Sequence, residues 1–229
     1  MSIEITQMNP EELVDFMSAF KLTNNSYAIY FPSVIKYSNG DVYKGEIKPC
    51  GDKHGLGELY YSNGAIFAAR WVNNISFGTG VYFAVDKTVY RGSWINNAFH
   101  GKTNTIAYQN GDTYSGNVSN SCITGKGTMT YIKQGQDLEQ DQDLDQDQDL
   151  DQDLDQDSEP GIYTGDFVCG QKCGYGIHRW PNGNKYTGSW ENNAFNGDGV
   201  LDAINSHDAI YTGPWLNGHQ QAEGNIIYF

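Results

Sequence analysis

The sequence predicts an all-β fold: one elongated, twisted antiparallel sheet of stacked β-hairpins, with a short N-terminal helix ahead of it. Three observations carry this. An aromatic-x-Gly-x-apolar pentad recurs seven times, starting at Tyr43, Phe67, Tyr90, Tyr114, Tyr163, Tyr186 and Tyr211. Eleven or twelve residues after each start comes a small-residue pair: Gly55/Gly57, Gly78/Gly80, Gly101/Thr103, Gly125/Gly127, Gly174/Gly176, Gly197/Gly199 and Ala222/Gly224. The starts lie 23 to 25 residues apart, except where an insert follows the fourth copy. A period of that length marks one supersecondary unit that cannot bury its apolar face alone and must stack on its neighbours.

Residues 1–26 form an N-terminal segment in which Asn9 reads as a helix N-cap, Pro10 as the first helical position and Glu11 and Glu12 as first-turn carboxylates. Leu13, Met17 and Phe20 then share one helical face, the signature of a cap over the end of the stack. Residues 27–133 hold a cap strand and repeats one to four. The cap strand, Tyr27 to Tyr37, is atypical, but its end copies a later one: Tyr37-Ser38-Asn39-Gly40 matches Tyr61-Ser62-Asn63-Gly64.

Within a repeat the pentad has period two, so aromatic, glycine and aromatic share one face of a strand. The intervening residues, such as Lys44 and Glu46 or Thr187 and Ser189, leave the other face wet. The second strand begins with glycines, and antiparallel pairing is expected to bring the Trp end of the first strand over the Gly-x-Gly of the second. Asn39-Gly40, Asn63-Gly64, Asn110-Gly111 and Asn182-Gly183 read as type I′ turns, and Asp86-Lys87 and His207-Asp208 as looser equivalents. The alternate connections, for example Ile95 to His100, read as longer loops. Pro214 inside the last pentad predicts a local bulge. At about 4.8 Å per strand the stack is expected to be roughly 65 Å long.

Residues 134–159 break the period. Every odd-numbered residue from Asp137 to Glu159 is acidic, with Gln, Leu or Ser158 between. This low-complexity insert carries 12 of the 28 acidic residues and no Lys or Arg, so the net charge of −14 falls to −2 without it. The composition predicts a solvated, disordered tract at an inter-repeat turn, since loop closure entropy grows only with the logarithm of length. It lacks the glycine and spaced glutamate of an EF-hand loop. Residues 160–229 complete repeats five to seven.

The pentad and its Gly-x-Gly partner closely resemble the MORN (membrane occupation and recognition nexus) repeat, whose unit reads approximately Tyr-x-Gly-x-Trp…Gly-x-Gly. The resemblance covers about Tyr37 to Phe229 and departs from the pattern at Phe67/Ala69, Thr103 and Ala222. It implies a hairpin array and roles in assembly, dimerisation or attachment. It also implies two alternatives, a membrane or phospholipid attachment module and a targeting subunit of a separate enzyme.

The chemistry of an enzyme is not visible. No nucleophile elbow, phosphate-binding loop, dinucleotide fingerprint or zinc spacing occurs, so no catalytic residue, cofactor or metal is expected. Nothing suggests nucleic-acid binding. His54 and His100 occupy a loop-end place filled elsewhere by Thr124, Cys173 and Asn196, which favours a polar spacer over a ligand. Cys50, Cys122, Cys169 and Cys173 form no CxxC pair, and reduced thiols are expected; Cys169 and Cys173 flank one hairpin loop and are the pair that oxidation could bridge. With no signal segment or membrane-spanning apolar run, a cytoplasmic, intracellular location is expected.

The expected function is therefore a non-catalytic scaffold for protein–protein interaction. Two surfaces are candidates: an aromatic face of Tyr90, Trp94, Tyr114, Tyr131, Trp180, Tyr186 and Trp190, and an uncharged final strand, Ile226, Ile227, Tyr228 and Phe229, open to pairing with a partner or a second copy. A sheet near −2 with an acidic loop disfavours an anionic membrane.

Because the insert supplies no pentad and no Gly-x-Gly, replacing residues 134–159 with Asn-Gly should leave the far-UV CD spectrum and melting temperature nearly unchanged. A drop of more than about 10 °C would show that the insert packs on the sheet.

Overall fold

A computed structural model describes residues 33–132, 160–203 and 209–229. Among them are seventeen strands in one antiparallel sheet and no helix. The expected N-terminal helix, the acidic insert and the His207-Asp208 turn lie outside the described residues. A cap strand β1 (Ser33–Lys36) leads into β2 (Val42–Ile47) and β3 (Lys53–Tyr60) of repeat one, then β4 (Ile66–Val72) and β5 (Ile75–Phe83) of repeat two. Repeat three has β6 (Val89–Ile95) and a divided second strand, β7 (Ala98–Phe99) and β8 (Gly101–Ala107). Repeats four to six are β9 (Thr113–Ser119) with β10 (Cys122–Tyr131), β11 (Gly161–Val168) with β12 (Gln171–Arg179), and β13 (Lys185–Glu191) with β14 (Ala194–Asp202). Repeat seven is β15 (Ala209–Leu216) with the divided β16 (His219–Gln220) and β17 (Asn225–Tyr228). Strands pair in chain order from β1 to β17, so the sheet is an open meander. The insert does not interrupt it: β10 and β11 pair directly, from Gly125↔Phe167 to Tyr131↔Gly161.

The two glycines of each Gly-x-Gly do different work. The second sits opposite the pentad glycine of its own hairpin, as in Gly45↔Gly57 and Gly188↔Gly199. The repeat's tyrosine lies flat over that pair. A Cβ on Gly176 would fall 2.5 Å from the Tyr163 ring, and one on Gly188 would fall 2.5 Å from Gly199 Cα and 2.6 Å from the Asp198 carbonyl. The first glycine marks a bulge, where the second strand carries two residues more than its partner; Gly55 and Gly174 have φ of +64° and +61° there, a region costly for a Cβ. Folding the tyrosine down brings its hydroxyl to the carbonyl three residues on: Tyr43 to Glu46 at 2.9 Å, Tyr114 to Asn117 at 2.8 Å, Tyr163 to Asp166 at 2.9 Å, Tyr186 to Ser189 at 2.9 Å and Tyr211 to Pro214 at 2.7 Å. Burial raises the Tyr43, Tyr163 and Tyr186 phenols and pushes Tyr114 up to about 12, so each hydroxyl remains a donor.

This corrects the expected register. Within a hairpin it is the tyrosine that covers the glycine pair, while the tryptophan faces the first glycine of the preceding repeat: Gly55↔Trp71, Gly78↔Trp94, Gly174↔Trp190 and Gly197↔Trp215. The irregular repeats obey the same geometry. In repeat two, Phe67 has no hydroxyl, and Trp94 covers Gly80 instead. In repeat three the extra residue lies in the bulge, so the residue that faces the pentad glycine Gly92 is Asn104 and not Thr103; the Asn104 Oδ1 sits over Gly92 and accepts from Ser93 N at 2.8 Å. Pro214 keeps register with Asp198, and the break falls on its other side, between β16 and β17.

The turn assignments also reverse. In Tyr37 to Asp41 only Gly40 has positive φ, Gly40 N bonds to Tyr37 O and Tyr37 N to Asp41 O, a type I turn followed by a left-handed residue. Asp86-Lys87 makes the same turn with Lys87 at φ 68°. The asparagine side chain prefers this form because it closes on Asp41 N at 3.1 Å. The two-residue type I′ turns are the connections read as long loops: Asn73-Asn74 (φ 50° and 67°), Asn96-Asn97 (51° and 66°) and Asn192-Asn193 (51° and 71°). Each also docks on the repeat before it. Asn74 bonds Lys53 through both N and Oδ1, and Asn97 does so to Ser76 and Asn193 to Lys172, giving a second ladder along this edge.

The tyrosine-glycine arrangement predicts unequal effects at adjacent residues. Gly188→Val forces a clash with the facing backbone and should cost about 1–3 kcal/mol. Ser189→Val lies on the wet face and should be near neutral. Urea unfolding of both variants checks this, and equal destabilisation would reverse the assignment of faces.

Candidate interaction surface

The single sheet has no second layer among the described residues, yet its apolar face is largely dry, because the rings cover one another. Each flat tyrosine takes the edge of the next repeat's pentad aromatic: Tyr43–Trp71 at 5.9 Å and 87°, Tyr114–Phe167 at 5.4 Å and 89°, Tyr163–Trp190 at 5.0 Å and 78°, Tyr186–Trp215 at 5.4 Å and 88°. Such edge-to-face pairs add about 0.5–1.5 kcal/mol each beyond burial. The rings form one column through repeats one to three and another through repeats four to seven, and the aliphatic Ile106 and Val118 join the two in one core. The consequence for the candidate aromatic face is direct: Trp94, Tyr114, Tyr186 and Trp190 are buried within the chain's own columns and present no surface to a partner. Their alternation was legible in the sequence, but mutual covering by flat rings was not.

Tyr90, Tyr131 and Trp180 are instead half-buried at the margin of the columns, with Tyr61, Tyr82 and Tyr108, which the sequence reading passed over. The signal for two of these was available: Tyr61 and Tyr108, like Trp180, immediately precede the xAsnGly turns. Burial pushes the Tyr108 phenol up to about 12 and raises Tyr61 and Tyr90, so this rim offers neutral hydroxyls beside apolar rings. Amphipathic rings of this kind suit a protein interface.

Two lysines enter the columns. Lys53 Nζ lies 4.4 Å from the Trp71 ring centroid, 5.7 Å from Tyr37 and 6.0 Å from Tyr43; Lys172 Nζ lies 5.0 Å from Trp190, 5.1 Å from Tyr131 and 5.8 Å from Tyr163. Lys53 opens β3, and Lys172 is the second residue of β12. Ring faces hold a desolvated ammonium, and burial lowers the Lys53 pKa. Beside Lys172 is His178, 2% exposed, with neither ring nitrogen hydrogen-bonded. Its place in the register is taken by Leu59, Met129 and Leu201 in other repeats, so an imidazole occupies an apolar position. Burial, and then the Lys172 charge, bring its pKa down to about 4.

The candidate edge residues are exposed. β17 pairs with β15 through Ala209↔Tyr228 to Thr212↔Asn225, and Ile227, Tyr228 and Phe229 are 59%, 67% and 72% exposed. Among the described residues there is no group of His, Cys, Asp and Glu fit to hold a metal ion, and no helix long and apolar enough to cross a membrane.

The MORN repeat matches at residues 50–66, 90–102, 163–185 and 186–205. Alsin of Rattus norvegicus is 24% identical over 157 residues, covering 66% of this chain and 8% of Alsin. The inactive protein tyrosine kinase pTKL of Plasmodium falciparum is 28% identical over 72 residues, 31% of this chain and 5% of that protein. The chain thus spans less than a tenth of the length of either relative. Among solved structures, the TCP domain of SAS-4 (dCPAP) of Drosophila melanogaster, in complex with a proline-rich motif of Ana2 (dSTIL), has a TM-score of 0.38 at 17% identity, covering 77% of this chain and 86% of that one. The G-box domain of the microcephaly protein CPAP has a TM-score of 0.34 at 10% identity, with 86% and 99% covered.

His178 supplies a pH test. Its folded pKa is depressed, so the unfolded chain takes up a proton from about pH 6.5 downward while the folded chain does so only near pH 4. Stability is lost as pH falls through that window. Relative to His178→Met, the natural chain should lose roughly 2–3 kcal/mol more between pH 7 and pH 4.5 in urea titrations. Parallel pH profiles for the two proteins would show that the imidazole is protonated inside the fold.

Proposed function

We propose that this chain, which carries MORN repeats, is a non-catalytic scaffold that holds protein partners, with β17 as its principal contact. The observation that carries the reading is the exposure of four consecutive uncharged residues, Ile226 to Tyr228 on that strand and Phe229 just after it, while the aromatic columns are spent on the chain's own stability. An apolar strand whose outer N–H and C=O groups pair with nothing among the described residues recruits another strand, since the lost water contacts are replaced by a full ladder of backbone bonds. Two copies of β17 paired antiparallel about a two-fold axis make a dimer twice the length of one sheet. The half-buried rim of Tyr82, Tyr90, Tyr108, Tyr131 and Trp180 is the second contact, for a partner lying along the array. This reading places the protein in the cytoplasm and gives it no cofactor, catalytic residue or metal. A membrane role is disfavoured, because a sheet near −2 has little attraction for an anionic leaflet.

Sedimentation equilibrium of the natural chain across micromolar concentrations should show a reversible dimer. Ile227→Lys with Phe229→Glu should weaken association at least tenfold and leave the CD spectrum unchanged. A monomer at every concentration, with β17 amides protected from hydrogen exchange, would show that the edge is covered by the chain itself.

A further inference from the structure

We propose that Cys122 and Cys169 form a redox site, a dithiol that a small-molecule disulfide converts to an intrachain bond clamping the seam between repeats four and five. The sequence pointed to Cys169 and Cys173, but the fold selects another partner. Cys169 is the first residue of the repeat-five turn, with φ 48°. Its own N donates to Thr124 Oγ1 at 3.3 Å, and the next residue, Gly170, donates to Ile123 O at 2.9 Å. Those two bonds pin the turn against the start of β10, where Cys122 lies, and the two thiols come within hydrogen-bonding reach of each other. Cys122 Sγ also approaches Ile123 O at 3.9 Å. Cys169 is exposed and Cys122 half-buried behind it, so one thiol meets the oxidant and the other waits to resolve it. Cys173 is placed differently. It stands opposite Asp166 in the β11–β12 ladder, where burial and that carboxylate raise its thiol pKa.

The location gives the bond a consequence. Repeats one to four follow each other through turns of three central residues, Ser62–Gly64 being one. Between β10 and β11 the chain runs through residues 132–160, where the earlier seams have three turn residues. Its outer face is held by Lys126–Asp166 at 2.7 Å, a partly exposed pair of small value, and by the Thr128–Thr164 hydroxyl bond at 3.1 Å. Cys122 and Cys169 stand at the opposite end of the same seam. A bond there shortens the loop that opens when the two strands part, and so resists their separation.

The chemistry balances. The Cys169 thiolate attacks one sulfur of a disulfide RSSR, forming a mixed disulfide and releasing RS⁻. The Cys122 thiolate then attacks Cys169 Sγ, closing the intrachain bond and releasing the second RS⁻. Two cysteine thiols are oxidised, one disulfide is reduced, and the two cysteine protons end on two RSH. The Cys122 thiol beside it raises the Cys169 pKa, so the rate climbs with pH through the neutral range.

The test equilibrates the intact chain with mixtures of oxidised and reduced glutathione, followed by tryptic mapping without reduction. Cleavage after Lys126, Lys133 and Lys172 places Cys122, Cys169 and Cys173 on separate peptides, so each pairing is distinguishable. The expected product links the peptide of Cys122 to that of Cys169, loses two titratable thiols and melts at least about 5 °C higher. Dithiothreitol should reverse all three effects. Cys122→Ser should instead stop at a glutathione adduct on Cys169 with no rise in melting temperature. A dominant link to Cys173, stable adducts on the natural chain, or four free thiols in oxidised glutathione would each overturn the proposal.

Discussion

A tyrosine laid flat on a pair of glycines is the contact from which the remaining structure follows. Two facing backbones without Cβ atoms leave a shallow floor on the sheet, and a phenol ring of that size covers it. The hydroxyl then reaches the carbonyl that the bulge leaves free, three residues along its own strand, and its hydrogen bond is made where an unmade one would cost about 1–3 kcal/mol. Because the ring lies down instead of standing up, its upper face is open to the edge of the next repeat's tryptophan or phenylalanine. A local packing solution thereby becomes a longitudinal one, and one sheet makes its own core.

The hairpin edges add a second longitudinal constraint. Type I′ turns extend each strand pair without splaying it, and their second residue bonds back to the repeat before, so backbone hydrogen bonding runs past the end of the sheet ladder. Repeats in such an array depend mainly on their neighbours, and the seam between repeats four and five gains importance for that reason. It is fully paired in register, yet its connection is long, and both a buried lysine–histidine pair and a thiol pair have been placed around it.

The candidate surface was less legible than the fold. Alternation assigns Tyr114, Tyr186 and Trp190 to the apolar face but is silent on whether that face is a core or an interface. The structure buries these three and leaves Tyr90, Tyr131 and Trp180 at the rim, because only residues above or beside the flat rings keep contact with water. The exposed strand Ile226 to Phe229 was readable, since absence of charge at an edge is a property of composition. His178 was not: nothing in a spacing pattern distinguishes it from the leucine or methionine that fills its position elsewhere.

The sequence by itself determined the repeat, its seven copies, the two faces of each strand and the place where an insert could enter, because these depend on period and residue size. Only the tertiary structure decided which glycine carries a left-handed bulge and which carries a ring, which asparagines form two-residue turns, and that Asn104 stands in for a missing glycine in repeat three. It also chose Cys122 as the neighbour of Cys169, across 47 positions of sequence. The physical reason is common to all of these. Period fixes which residues share a face, but register, side-chain tilt and the docking of turns are set by contacts between repeats, and those exist only once the strands have paired.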